Sequence, residues 1–409
     1  MSIRWCVYLS DEYEKSYLVS NFQQILLSLP NYEQLEVQKF IYEEDRLKSL
    51  LSRVLQRLAV SYILKIPYNE VKIDRTAWNK PYCSNQKPHW APNLNFNVSH
   101  EGDVVALAAE SVLIVGIDVV APLCRRKGPP VNAALHIERL RCSFSSFEMD
   151  EFAKASSQDN SDDNDINFAR DQSITNLERC FQRFWSLKEA FAKLRGDGLG
   201  LSPLSRACFG RPLASRIHTY TARVARADQW KEKDAIEEVE ASVRDTRNGE
   251  EEKKCWGDEE EKSKARGKNK AKEEIDCRET EKSRKGKHEE SLGSEIQNEL
   301  LSIFQITGSK MESATVSLDG VFIPEVTFRI HWLPMGYCVA LALGPPSLIV
   351  DPITKGFKTS CQKPQLSPME VETAQLESKN GSQMFQMLSI KMILRMMKQR
   401  GATIEYLNE

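Results

Sequence analysis

Three short stretches of the sequence carry side chains whose types and spacing could do chemistry. Asn97-Val98-Ser99-His100-Glu101-Gly102-Asp103 runs from a strand pattern into a tight turn, presenting an imidazole and a carboxylate at a sheet edge. Gly116-Ile117-Asp118-Val119 sets an acid inside an otherwise apolar strand, where a buried charge is costly unless it is paired or binds a metal. In Trp185-Ser186-Leu187-Lys188-Glu189-Ala190-Phe191-Ala192-Lys193, Glu189 and Lys193 are four apart and share a helical face. Taken singly, each also reads as ordinary structure: a polar hairpin turn, an ion-paired aspartate, a surface Glu–Lys pair. Together, a strand acid, a helix acid, a turn histidine and a helix lysine are the parts of a magnesium and pyrophosphate site, because Mg²⁺ takes hard oxygen ligands and phosphates take cationic donors.

The elements that must position these groups are legible from periodicity. Between Asp45 and Ile66, Leu47, Leu50, Leu51, Val54, Leu55, Leu58, Tyr62 and Ile63 recur at three- and four-residue spacing, which predicts a long helix ended by Pro67. Short alternating or apolar runs follow, EVKIDR, LNFNVSH, VVALAAE and LIVGIDVV, separated by polar turns, hence strands. The second half repeats the scheme. A helix is expected over Leu135 to Phe152, with Ser145 and Glu148 spaced as a capping box, and another over Arg179 to Arg195, stopped by Gly196, Gly198 and Gly200. ATVSL, VTFRIHWL and YCVALAL then read as strands. The expected class is α+β: two similar halves, each a helix on an antiparallel sheet, at residues 1–117 and 118–343.

Composition marks what does not join that core. Between Lys231 and Glu290 there are 17 basic and 20 acidic side chains, too charged to bury a core, so 228–298 is expected as a disordered insert and the acidic 156–176 as a surface loop. Beyond residue 344 the chain turns to Pro, Ser, Lys and Gln, and a low-order tail to residue 409 is expected. Only 383–399 there reads as an amphipathic helix, with Lys391, Arg395 and Lys398 on a basic stripe. That helix either packs back on its own domain or floats beyond it, or it docks an acidic partner or a membrane surface. A net charge of -2 argues against a nucleic-acid glove, and no apolar run is long enough to span a bilayer. Ten cysteines without a CxxC pair favour free thiols, and the opening residues, with Asp11, Glu12 and Glu14, are unlike a transit peptide. A soluble, cytoplasmic, monomeric protein is the expectation.

In order along the chain, Arg75-Thr76-Ala77-Trp78-Asn79-Lys80-Pro81, FNVSHEGD, GIDV, Phe144-Ser145-Ser146-Phe147-Glu148 and FWSLKEAFAKLRGDGLG resemble the motifs of the 4'-phosphopantetheinyl transferases, in particular the long pseudo-dimeric type that activates surfactin synthetase or aminoadipate-semialdehyde dehydrogenase. The resemblance covers roughly 1–210 and 315–343. It implies transfer of phosphopantetheine from coenzyme A to a serine of an apo acyl carrier protein. It implies Asp118 and Glu189 as Mg²⁺ ligands, His100 and Lys193 on the phosphates, and Glu189 as base for the acceptor serine. Arg75 and Lys80 would grip the 3'-phosphoadenosine, with Arg46, Asn97 and Ser99 as further coenzyme contacts. Bacterial members carry a second acid where Val120 stands here, and Glu101, a glutamine in animal members, is the substitute third ligand. Asp118 and Glu189 lie 71 residues apart, a spacing lengthened by the acidic loop. The competing expectation is a catalytically degenerate scaffold that binds partners through its insert and tail.

Overall fold

In the computed structural model, residues 1–126, 132–159, 174–210, 312–350, 355–381 and 384–404 are described. The expected insert at 228–298 and most of the acidic loop lie outside them. The helices are α1 (Glu12–Ser20), α2 (Phe22–Leu27), α3 (Asn31–Gln38), α4 (Glu43–Leu64), α5 (Ala133–Arg139), α6 (Ser146–Asp159), α7 (Asn176–Arg195), α8 (Gly356–Thr359), α9 (Pro368–Gly381) and α10 (Ile390–Gln399). The strands are β1 (Ser2–Tyr8), β2 (Ile73–Arg75), β3 (Pro81–Cys83), β4 (Asn95–Glu101), β5 (Val104–Glu110), β6 (Ile114–Val120), β7 (Ala207–Gly210), β8 (Glu312–Leu318), β9 (Val321–Phe322), β10 (Thr327–Leu333), β11 (Tyr337–Gly344) and β12 (Gln386–Met387). The chain is α+β. Among the described residues no helix is long and apolar enough to cross a membrane.

One sheet has the order β12-β1-β5-β4, the other β6-β11-β10-β8-β7 with β9 on β8, and β2 and β3 form a separate hairpin. Helix α4 packs on β4 and β5, and α7 packs on β6 and β11. Between the sheets, alternate side chains interdigitate: Val115, Ile117 and Val119 of β6 and Val339 and Leu341 of β11 meet Cys6, Ala106 and Ala108. Because successive strand residues point to opposite faces, Gly116 and Asp118 look the other way, toward α7. All of β6 belongs to the second sheet, so the sheets divide between β5 and β6.

The helix expected over Leu135 to Phe152 is two helices. Its capping box forms as spaced, with Ser145 N donating to Glu148 at 2.8 Å and Glu148 N to Ser145 Oγ at 3.3 Å. A capping box opens a helix, so it cannot lie inside one. Helix α6 runs to Asp159, into the stretch expected as loop, and the Asp159 carboxylate accepts from Asn176 N and Leu177 N at the start of α7. Strands β7 and β8, on either side of residues 211–311, pair with each other, Gly210 opposite Thr315.

The described part of the tail is more ordered than expected. After Gly344 it forms α8 and α9, lays β12 parallel to β1, and ends in α10, which lies within the expected 383–399 helix. Ile390, Ile393, Leu394, Met396 and Met397 are buried, while Lys391, Arg395 and Lys398 stay exposed. The apolar face packs on α1 and α4 of its own domain. Phe385 stacks edge-on against His331 of β10, with ring centroids 5.3 Å apart.

Behind α7 lies a fully buried ion pair. Lys188 Nζ sits 2.8 Å from Glu148 Oε2, and it also donates to Ala207 O at 2.7 Å, while Phe209 N donates to Glu148 Oε1 at 3.0 Å. This knot ties α6, α7 and β7 on a different face of α7 from Glu189 and Lys193. Lys188→Met would strand a buried carboxylate, and urea unfolding should show a loss of about 3–5 kcal/mol; a loss under about 1 kcal/mol would contradict that role.

Candidate functional site

The facing edges of the two sheets, β4 and β6, are joined by side chains. Asn95 Oδ1 accepts from Val115 N at 2.9 Å, Asn97 Oδ1 from Ile117 N at 2.9 Å, Ser99 Oγ from Val119 N at 3.2 Å, and Glu101 Oε2 from Ala121 N at 2.6 Å. Alternate residues of β4 thus satisfy alternate amides of β6 that no strand reaches, in keeping with the high cost of an unpaired buried N–H. Helix α7 closes on the same strand at Gly116. A Cβ added there would lie 2.0 Å from Ala190 O and 2.4 Å from Leu194 N, so only glycine lets the helix backbone approach this near.

These contacts assemble the site. Lys193 Nζ reaches Asp118 Oδ1 at 2.6 Å and Ser99 Oγ at 3.0 Å, and Ser99 Oγ donates to Asp118 Oδ1 at 2.9 Å. Asp118 is buried, and Glu189, one turn before Lys193, is half-buried. Burial pushes the Glu189 carboxyl above its ordinary value, the Asp118 charge adds to the push, and Lys193 opposes it. The imidazole of His100 is held below its usual value by the surrounding protein first, then by the positive charges of Lys48 and Lys193.

Of the expected site residues, the structure brings Asp118, Glu189, Lys193, Ser99 and His100 together. Others have different engagements. Asn97 is committed to Ile117, and Glu101 to Ala121 and, at 3.4 Å, to Arg126. Arg75 is exposed, with its guanidinium on Asn79 O at 3.0 Å. Lys80 is turned away from any open surface: its Nζ donates to Lys193 O and, at 3.2 Å, to Leu194 O at the end of α7. Arg46 is half-buried in the first turns of α4.

Two cations were not anticipated. Lys48 is 7% exposed and Arg53 9% exposed, both on α4. Arg53 donates to Ser49 Oγ at 3.1 Å but leaves its Nε buried without a partner, and its guanidinium is depressed first by burial and then by the charge of Arg75. Lys48 and Lys193 thus lie near His100, and Arg75 near Arg53, with Asp45, Glu33 and Glu36 as the opposing charges. In sequence, Lys48 and Arg53 pass for the wet side of an amphipathic helix. The available signal was that α4 is flanked on both sides by further apolar elements, so that it has almost no wet side.

Residues 17–112 match the family described as 4'-phosphopantetheinyl transferase, N-terminal. That stretch is similar to the N-terminal part of the phosphopantetheinyl transferases. The chain is 31% identical over 173 residues to the L-aminoadipate-semialdehyde dehydrogenase-phosphopantetheinyl transferase of Homo sapiens, covering 42% of this chain and 50% of that protein. It is 32% identical over 183 residues to a phosphopantetheinyl transferase of Thraustochytrium sp., covering 44% and 57%. To a 4'-phosphopantetheinyl transferase of Paxillus involutus it is 29% identical over 185 residues, covering 44% and 64%. The chain spans about half the length of the first of these curated relatives.

The hub of this site is one hydroxyl. Ser99→Ala removes a donor to Asp118 and an acceptor for both Val119 N and Lys193, leaving a buried amide unpaired. Denaturant unfolding should register a loss of about 1–3 kcal/mol. Unchanged stability would mean that the hydroxyl is not what joins β4, β6 and α7.

Proposed function

We propose that the protein transfers 4'-phosphopantetheine from coenzyme A to a serine of an apo carrier protein, releasing adenosine 3',5'-bisphosphate. The observation that carries this reading is the convergence of Asp118, Glu189 and Lys193 from a strand and a helix far apart in sequence. In the proposed step the serine oxygen bonds to the β-phosphorus while the bond from that phosphorus to the bridging oxygen breaks. The serine proton passes to a carboxylate. Glu189 suits that task by position, half-buried on α7 one turn before Lys193 and near Asp118.

Asp118 and Glu189 also fit a hard divalent cation. They are oxygen donors near enough for one to raise the other, a repulsion that a cation between them would relieve. When bound, Mg²⁺ would neutralise charge on the pyrophosphate oxygens. Among the described residues no three His, Cys, Asp or Glu side chains gather as a complete metal set, and Glu101 is held in the β4–β6 contact, so the ion would rest on Asp118 and Glu189 together with the phosphates. Lys193 would exchange Asp118 for a phosphate oxygen and hold charge on the leaving group. Lys48, His100, Arg53 and Arg75 would receive the remaining phosphate charge.

The scaffold reading would leave this convergence without a use. Incubation with coenzyme A, Mg²⁺ and apo carriers should raise a carrier's mass by one phosphopantetheinyl group. Glu189→Gln, which keeps shape but loses the base, should slow that transfer at least about 10²-fold. No mass change with any carrier, or near-normal transfer by a folded Gln variant, would overturn the proposal.

A further inference from the structure

Residues after β11 touch the site's machinery at the C-terminus of α7. The last carbonyls of a helix lack intrahelical donors and carry the negative end of its dipole, so a cation placed there is favoured. Lys80 supplies it. Its Nζ donates to Lys193 O and Leu194 O and lies 4.4 Å from the centre of the Phe357 ring. Phe357 is 1% exposed, and it comes from α8, outside the stretch that matches the family.

The surroundings fix this ring. Val350 N donates to Arg195 O at 2.8 Å, and Gly196, which ends α7 at φ 78°, presents its α-carbon to the Lys80 stem and the Phe357 edge. Lys87 Nζ donates to Ser360 O, Gln362 N to Pro92 O at 2.9 Å, and Asn93 and Lys363 exchange bonds of 2.8 and 2.9 Å. The segment is therefore pinned to the first half of the chain on one side and to α7 on the other. A buried ammonium is costly unless its charge is answered. Here two carbonyls and an aromatic face answer it in part, and burial still pulls the Lys80 amine down to about 7.

The residue whose carbonyl Lys80 holds is the residue whose ammonium meets Asp118. We infer that Phe357 is a positioning residue: its ring holds the Lys80 ammonium against the last turn of α7, and that turn holds Lys193 at the site. The tail is on this account part of the machinery, and removal of everything after Gly344 would not be neutral. The catalytic half of the inference rests on the proposed transferase reaction; the contact itself does not.

The test is a double-mutant cycle of Phe357→Leu, which keeps an apolar side chain but removes the π face, with Lys80→Met, which removes the cation. Two readouts are taken: phosphopantetheine transfer, and acylation of Lys80 by a water-soluble amine reagent, followed by peptide mass analysis. Each single variant should lower kcat roughly 10- to 100-fold with the KM for coenzyme A little changed, because a small displacement at the reacting group costs rate more than affinity. The double variant should be no slower than the worse single, the mark of one shared pathway. Lys80 should be unreactive in the parent and labelled at least about tenfold faster in Phe357→Leu, as expected when a local opening becomes easier. Multiplicative losses in the cycle, or an unchanged kcat in the single variants, would overturn the positioning role. Equal Lys80 labelling in parent and Phe357→Leu would overturn the contact. If the parent itself transfers nothing, the functional proposal fails while the labelling still decides whether Phe357 holds Lys80.

Discussion

Strand β6 has one edge that no strand reaches, and the structure is organised around how that edge is satisfied. Its other edge pairs conventionally with β11 over the whole strand. Toward β4, the amides of Val115, Ile117, Val119 and Ala121 are met by Asn95, Asn97, Ser99 and Glu101. Side chains reach further than backbone carbonyls, so β4 and β6 can belong to different sheets and still be stitched residue by residue. The stitch sets the register that puts Ser99 opposite Asp118. The close approach of α7 at Gly116 then puts Lys193 over both.

This arrangement explains why the site residues were legible and some of their partners were not. An acid in an apolar strand, and Glu189 and Lys193 at helical spacing, announce themselves because each violates or obeys a strict local periodicity. Asn97 and Ser99 were expected as coenzyme contacts and instead accept from amides of β6, since nothing in a strand's alternation says whether a polar side chain faces a ligand or a neighbouring edge. Lys80 was misplaced for a related reason. A lysine beside an expected nucleotide site reads as a phosphate contact, whereas its amine is buried against a helix end and beside Phe357, which lies 277 residues further along the chain.

The two extra segments differ in kind although both depart from the compact composition of the rest. The charged insert falls within 211–311, between strands that are themselves neighbours, and the cost of closing a loop grows only slowly with its length. The tail has ordinary numbers of apolar residues, but they are spread over short elements, so no single window shows a strong period. Its order comes from tertiary contacts: β12 on β1, Phe385 on His331, and Arg400 on Ser61 at the end of α4. Such contacts are invisible to a local reading.

The central claim is that side chains of β4, standing in for a strand, carry β6 and with it Asp118. Site-resolved amide hydrogen exchange in Asn97→Ala, compared with the parent, addresses it directly. Losing the one acceptor of Ile117 N should speed exchange at that amide by roughly tenfold, the equivalent of one hydrogen bond, while the amides of β6 that face β11 keep their protection. Unchanged protection at Ile117 would contradict the account, because the amide would then owe its shielding to burial alone and the side-chain stitch would hold nothing.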